Sequence, residues 1–286
     1  MEENDLFHIE RIDSSKKIKW KNGQKDKIIE LYNEGYSINK IGDFFGGLHY
    51  NTIKKILKTK NTELRTRAQS HYQDNRVENI FEKIDSEEKA YWVGFLAADG
   101  CIHGNYIKIA LQKKDIDHLE KFKKFLQADS IKISINDKAA IFSIGCKKMA
   151  EDLKKLGVIE RKSLILTPPE GKIPEEYYFD WIRGFFDGDG GISYSQKNNQ
   201  WQSYVNSTKE VLEWIREKLD LNTKPFNQQH YGKKDNVWRL HFNGRKNIYK
   251  AWNKMYHNDS ATIYLDRKYE KYKLLCSSFN NKNAVN

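Results

Sequence analysis

The sequence predicts an α+β protein. Its core is a pseudo-twofold pair of αββαββα repeats forming antiparallel sheet saddles, preceded by a small all-α helix-turn-helix domain. Three observations predict this. A ten-residue motif occurs twice, as Tyr91–Gly100 and as Trp181–Gly190. Each copy leads into runs that alternate apolar and polar at period two, then into helical-period runs, in the same order. Upstream, three short helical patterns follow one another with glycine in the turns.

Residues 1–19 are polar without clear periodicity and read as a flexible arm. From Gly23 the pattern turns helical, with Ile28, Leu31 and Tyr32 on one face and Gly35 suited to a left-handed cap. Ser37 is placed to cap a second helix bearing Ile38, Ile41 and Phe45. Gly46-Gly47 is a turn, and a third helix starts near His49 with Ile53, Ile56 and Leu57 inward. Its polar side carries His49, Asn51, Lys54, Lys55 and Lys58, with Arg65 and Arg67 beyond it. Short polar groups at a helix start suit base edges, and flanking cations suit phosphates. A solvated basic face on an ordinary three-helix bundle explains the same residues. The segment resembles the helix-turn-helix of resolvases. The expected boundaries are 20–62 for this domain, 63–83 for a linker, 84–171 and 172–276 for the repeats, and 277–286 for a tail.

In the repeats, Ile107, Ile109 and Leu111 oppose Lys108, Ala110 and Gln112. Ile131, Ile133 and Ile135 oppose Lys132, Ser134 and Asn136; Trp238, Leu240 and Phe242 oppose Arg239, His241 and Asn243. One apolar face means a sheet covered by helices on one side. The open face holds Lys108, Lys132, Ser134, Asn136, Arg239 and His241, types that read base edges or phosphates. Helices are expected from Asp115 to Leu126, over 147–156, from Thr208 to Leu219 and over 245–255.

Composition narrows the function. Lys plus Arg number 50 and Asp plus Glu 39, a net charge of +11 that points to a polyanionic partner. Aromatic content of 13% excludes a disordered chain. No uncharged apolar run is long enough for a membrane span, and no signal peptide is legible at the start. Cys101, Cys146 and Cys276 form no C-x-x-C pair, so a reducing, cytoplasmic setting is expected, in a bacterial or phage context.

The motif itself points to chemistry. Gly94 and Ala98 are four apart, as are Gly184 and Gly188, so each pair makes a stripe without bulk on which two helices can pack closely. Gly100 and Gly190 are read as helix-ending glycines, which puts Asp99 and Asp189 at helix C-termini, where a carboxylate meets an already negative dipole. A divalent cation would relieve two such ends brought together. The carbonyls of Ala98 and Gly188 would add oxygen ligands. A hard-cation site on a basic two-lobed surface suggests phosphodiester hydrolysis.

At these residues the chain resembles the LAGLIDADG homing endonucleases, in the single-chain form with both motifs. The resemblance implies a site-specific double-strand DNA endonuclease. Asp99 and Asp189 would hold two or more Mg2+ ions, with Mn2+ or Ca2+ able to substitute in binding. It implies a monomer on a long, asymmetric DNA target. It also implies a basic residue late in each half, for which Lys148 and Lys246 are chosen, and a supporting polar group, Gln112. The sixth letter of the family's motif, the seventh residue of each ten-residue copy, departs in the first copy, with Ala97 where the second has Asp187. Two alternatives share the fold: a non-cleaving DNA-binding regulator and an intron-splicing maturase.

Overall fold

The computed structural model describes residues 7, 10–12, 17–34, 36–64, 77–160, 165–230 and 233–283. They fall into two compact units, Met1–Arg76 and Val77–Asn286.

The first unit opens with a hairpin that the sequence reading treats as loose arm. Strands β1 (Glu10–Ile12) and β2 (Lys17–Lys19) pair antiparallel, with Arg11 opposite Ile18. Three helices follow: α1 (Gln24–Asn33), α2 (Ile38–Phe44) and α3 (Tyr50–Thr59). Ile28, Leu31, Ile41, Phe45, Ile53 and Leu57 fill a small separate core. Ser37 caps α2, its Oγ accepting the Lys40 N–H at 3.0 Å. Gly46 and Gly47 turn at φ +66° and +82°, conformations that L side chains rarely adopt. The expected cap Gly35 lies outside the described residues.

The second unit repeats one topology. The first half contains α4 (Glu87–Ala98), β3 (Gly100–His103), β4 (Tyr106–Leu111), α5 (Ile116–Phe125), β5 (Ser134–Ile135), β6 (Ala140–Gly145) and α6 (Lys147–Lys155). The second contains α7 (Tyr178–Asp189), β7 (Gly190–Ser195), β8 (Gln200–Ser207), α8 (Lys209–Lys218), β9 (Phe226–His230), β10 (Lys233–His241) and α9 (Arg245–Met255), followed by α10 (Asp266–Asn283). The sheets have matching orders, β3-β4-β6-β5 and β7-β8-β10-β9, and every pair is antiparallel. This is the α+β architecture that the repeated motif implies.

Strand β4 shows why alternation is informative. Ile107, Ile109 and Leu111 are buried; Tyr106, Lys108 and Ala110 face out. The run 131–135 behaves differently. Only Ser134 and Ile135 pair as strand, and Ile135 is 60% exposed. A turn that bonds the Ile131 N–H to the Ala128 carbonyl takes up the start of this edge segment. Two further boundaries move. Ile80 and Phe81, inside the expected linker, are buried in the repeat core. The expected tail begins as helix, because α10 continues to Asn283.

The two motif helices form the centre. Every residue of α4 from Ala90 to Ala97 is buried, so this helix is covered on all sides. A Cβ added to Gly94 would overlap the Trp181 carbonyl oxygen. One added to Gly184 would overlap that of Tyr91, and one at Gly188 the Ala98 methyl. The helices therefore touch backbone to backbone along the small-residue stripe.

Gly100 and Gly190 differ from the expected left-handed caps. Gly190 has φ −91° and ψ 160°, and neither glycine has positive φ. A side chain is excluded for another reason: at each position a Cβ would strike the carbonyl four residues back, on Leu96 or Phe186. The chain turns from helix directly into the first strand of each sheet, and only glycine fits inside that corner.

Candidate metal and nucleic-acid site at the helix seam

The twin motifs deliver their last acids to one place. Asp99 is the C-cap of α4 and exposed; Asp189 is the last residue of α7 and half-buried. An ideal Cβ on Gly188 would stand 3.4 Å from the Asp99 carboxyl carbon, so Asp99 lies across the end of the partner helix. Ala98 and Gly188 meet beside it.

A residue to which the sequence reading gives no role at the seam contacts the end of α7. Lys268 of α10 is 1% exposed. Its Nζ donates to three carbonyls at the end of α7: Phe186 at 2.5 Å, Asp187 at 2.7 Å and Gly190 at 2.6 Å. The Phe186 carbonyl also accepts the Gly190 N–H, and Gly190 already begins β7, so the ammonium spans the corner from helix to strand. Burial pulls the ammonium down to about 8, while Asp187, Asp99 and Asp189 act in the opposite direction. Part of the negative charge assigned at first to a metal alone is thus offset by a protein cation. A signal for it exists in the repeat: Arg161-Lys162 follows the first half as Arg267-Lys268 follows the second. Residues 161–164 lie outside the described residues.

Of the lysines chosen from the resemblance, one is held by carboxylates and one is exposed. Lys148 is the second residue of α6, and its ammonium pairs with Asp152 at 2.5 Å and Glu82 at 3.1 Å. Lys246 is the second residue of α9 and exposed. Gln112 is an exposed residue between β4 and a single 3-10 turn. Among the described contacts of these four residues, those of Lys268 reach an acid-bearing helix end.

Asp187, two residues before the seam acid, is fully buried. Its Oδ2 accepts the Tyr91 hydroxyl at 2.8 Å and the Leu265 N–H at 2.8 Å. His118 Nε2 is 3.0 Å from the same hydroxyl. Since Tyr91 donates to Asp187, the network assigns the proton of His118 to Nε2. Burial drives the His118 imidazole from 6.5 down to about 3, so the folded protein keeps it neutral. The sign follows. Between pH 6.5 and 3 the unfolded chain binds a proton that the native state refuses, so stability falls as pH falls through that window, by up to about 5 kcal/mol in full. Urea midpoints at pH 7 and pH 4.5 are expected to converge when His118 is replaced by Gln. An equal pH dependence in both proteins would refute the assignment.

Arg183, also fully buried, ties the halves together. It donates to Asp180 at 3.0 Å, Glu87 at 2.7 Å and the Ile263 carbonyl at 2.9 Å, and also reaches the Met255 carbonyl. Removing one partner of such a buried guanidinium would be strongly destabilising, because it leaves an uncompensated buried charge.

The open sheet faces differ between halves. On the first, Lys108 is exposed, flanked across the ladder by Cys101 and Ser143. Lys132 is exposed, Ser134 Oγ donates to the Ile141 carbonyl at 3.4 Å, and Asn136 Oδ1 accepts the Lys138 and Ala139 N–H groups of the β5–β6 turn. On the second, Arg239 lies over the Tyr204 ring at 4.1 Å and donates to Asn206 Oδ1 at 2.8 Å. His241 stacks on Phe226 at 5.4 Å, with its pKa lowered by burial and by Arg239.

In the first unit, His49 is the N-cap of α3, its Nδ1 accepting the Asn51 N–H at 3.2 Å. That bond gives the histidine a capping role at this position. Asn51, Lys55 and Lys58 are exposed on α3, and Lys54 lies over the Tyr50 ring. Arg65 and Arg67 lie outside the described residues.

Among the described residues no group of three or more His, Cys, Asp or Glu gathers as a closed metal cage. Two adjacent carboxylates at helix ends fit a hard cation that takes its remaining ligands from phosphate and water. No helix among the described residues is long and apolar enough to cross a membrane.

These features define a two-lobed α+β fold with an acid pair at its central helix seam. Residues 176–255, which contain the second motif, match the family described as LAGLIDADG-like domain. An uncharacterized protein of Methanocaldococcus jannaschii is 29% identical over 176 residues, covering 54% of this chain and 59% of that relative. Among solved structures, the LAGLIDADG meganuclease I-CpaMI bound to uncleaved DNA is 16% identical, with 70% of this chain and 94% of that one covered and a TM-score of 0.44. I-SmaMI bound to uncleaved DNA with calcium ions is 15% identical, with 71% and 94% covered and a TM-score of 0.45.

Proposed function

We propose that the chain is a site-specific double-strand DNA endonuclease of the homing type, with divalent metal, Mg2+ by preference, held between Asp99 and Asp189. The observation that carries this reading is the pair itself: two repeats of one motif bring two carboxylates to one seam between two open-faced sheets. A metal bound there would activate water and offset charge on the phosphodiester. The carbonyls of Ala98 and Gly188 would join the carboxylates as oxygen donors. Lys268 keeps the end of α7 in place and limits the repulsion between the acids. Gly94 and Gly184 let the two acids approach.

The sheet faces would hold a long duplex, with Lys108, Lys132, Ser134, Asn136, Arg239 and His241 toward it. Because the two faces carry different side chains, the target would be asymmetric, and one chain would suffice to cover it. Of the basic-residue assignments, Lys148 and Lys246 are left as phosphate contacts and Gln112 as a supporting polar group. The α1–α3 unit would act as a helix-turn-helix, placing Asn51, Lys54, Lys55 and Lys58 on adjoining DNA.

Purified protein challenged with a randomised duplex library, with Mg2+ and with EDTA, tests this. Recurrent Mg2+-dependent cuts in one long sequence are expected. Selective capture without cutting would instead favour a regulator, or a maturase to be tried on intron RNA. Deleting residues 1–76 is expected to weaken binding and flatten its salt dependence, each lost phosphate contact lowering the log–log slope by about 0.9. The cut position should not move. An unchanged footprint would contradict the role given to α1–α3.

A further inference from the structure

The stretch from Thr262 to Lys268 is tied to the motif helices by side chains of four residues. Glu87 of α4 accepts the Thr262 N–H at 2.8 Å, and Arg183 of α7 donates to the Ile263 carbonyl. One turn further along α7, Asp187 accepts the Leu265 N–H, and Tyr91, reaching across from α4, donates to the same carboxylate oxygen. The Leu265 carbonyl in turn accepts the Lys268 and Tyr269 N–H groups, at 2.9 and 3.1 Å, and so starts α10. Lys268 then returns to the backbone of Asp187 and its neighbours. A closed circuit therefore runs from the Asp187 carboxylate through Leu265 to Lys268 and back to α7.

Stability alone does not recommend this carboxylate. Asp187 is fully buried, burial raises its pKa, and its Oδ1 has no hydrogen-bond partner among the described residues. An unpaired buried acceptor is a cost that native proteins usually avoid. The first half carries no counterpart. The motif positions matching Arg183 and Asp187 are Val93 and Ala97, whose side chains neither donate nor accept hydrogen bonds.

We infer that Tyr91 and Asp187 are positioning residues for Lys268 and that they serve only one of the two strand cuts. The inference rests on the endonuclease reading above. Tyr91 and Asp187 touch no substrate; they fix the turn that sets the Lys268 ammonium against the carbonyls at the end of α7, the helix that carries Asp189. Loss of either frees that turn while leaving the first motif's acid, Asp99, on its own helix. The two strands then cease to be cut in step, and nicked duplex accumulates.

The test uses the full chain, a cleavable duplex end-labelled on each strand in turn, and single-turnover rates. Asp187→Ala is expected to slow one strand about 10- to 100-fold, the range for a misplaced catalytic arrangement, and the other by no more than about twofold. Tyr91→Phe, which keeps the ring and removes one bond, should slow the same strand by less. Asp187→Asn, which preserves an acceptor for Leu265, should restore most of the rate. Amide hydrogen exchange at Leu265–Lys268 should quicken in Tyr91→Phe without cleavage being measured at all. Equal slowing of both strands, or unchanged exchange in folded Tyr91→Phe, would overturn the inference. If Asp187→Ala does not fold, Tyr91→Phe decides it alone. A wild-type chain that cuts neither strand would count against the endonuclease reading instead.

Discussion

Asp99→Asn and Asp189→Asn proteins are expected to bind the target duplex as the wild type does and to lose double-strand cleavage. Asn keeps the size of the side chain and removes the charge, so the helix seam stays packed while the hard-cation donors weaken. Repulsion removed at two helix C-termini, about 0.3–1 kcal/mol for each change, is opposed by the lost attraction to the Lys268 ammonium, so stability should move little. That combination discriminates between roles. A structural acid would lose stability on substitution; an acid placed for metal and phosphate loses cleavage instead. Cleavage should fall by at least about a thousandfold, near 4 kcal/mol of barrier. Gel-shift affinity, thermal unfolding and plasmid cleavage on the same preparations check all three expectations. Either variant cutting both strands at the wild-type rate would remove Asp99 and Asp189 from the reaction.

Gly184→Ala is expected to have the largest effect on stability. One methyl there would overlap the Tyr91 carbonyl oxygen and lie 2.9 Å from the Phe95 nitrogen, both of them backbone atoms that no rotamer change can move aside. The helices must separate, and with them Trp181, Phe185, Phe95 and the buried Arg183 network. Overpacking of this kind costs typically 1–3 kcal/mol, and the upper end, about 3 kcal/mol, applies because the obstacle is backbone. Gly94→Ala, facing the Trp181 carbonyl, should behave alike. A Gly47→Ala change gives a useful contrast, since nothing lies within 4 Å of its added Cβ and only its φ of +82° opposes it. Chemical denaturation of the three proteins ranks them. A Gly184→Ala protein as stable as the wild type would mean that the helices do not pack as described.

The fold was largely legible before any coordinates, and the reasons are local. Motif copies that share glycines at the same offsets can be read as a packed helix pair because only glycine lets backbones touch. Strands such as β4 are legible because one face is buried and the other is not. Short elements without such contrast escaped: β1 and β2 are three residues each and rich in charge, and in 131–135 the alternation extends beyond the paired residues.

Parts of the site were harder to see. Asp99 and Asp189 stand out because a carboxylate at a helix end asks for an explanation. Lys268 does not, because what it satisfies are main-chain carbonyls, which no residue type advertises. The Arg-Lys run repeated late in each half is the available sign, whereas Lys148 is engaged by Glu82 and Asp152. His49 was read as a base-contacting group although its place before α3 equally marks a cap.

The central claim is that the two motifs bring their last acids to one metal-dependent centre at the helix seam, with each acid serving one strand. Mapping cuts on each strand of the selected target, with Mg2+ and with EDTA, tests it most directly. The account predicts two Mg2+-dependent cuts on opposite strands, a few base pairs apart at the middle of the footprint. A duplex that is bound specifically and stays intact with Mg2+ present would contradict it.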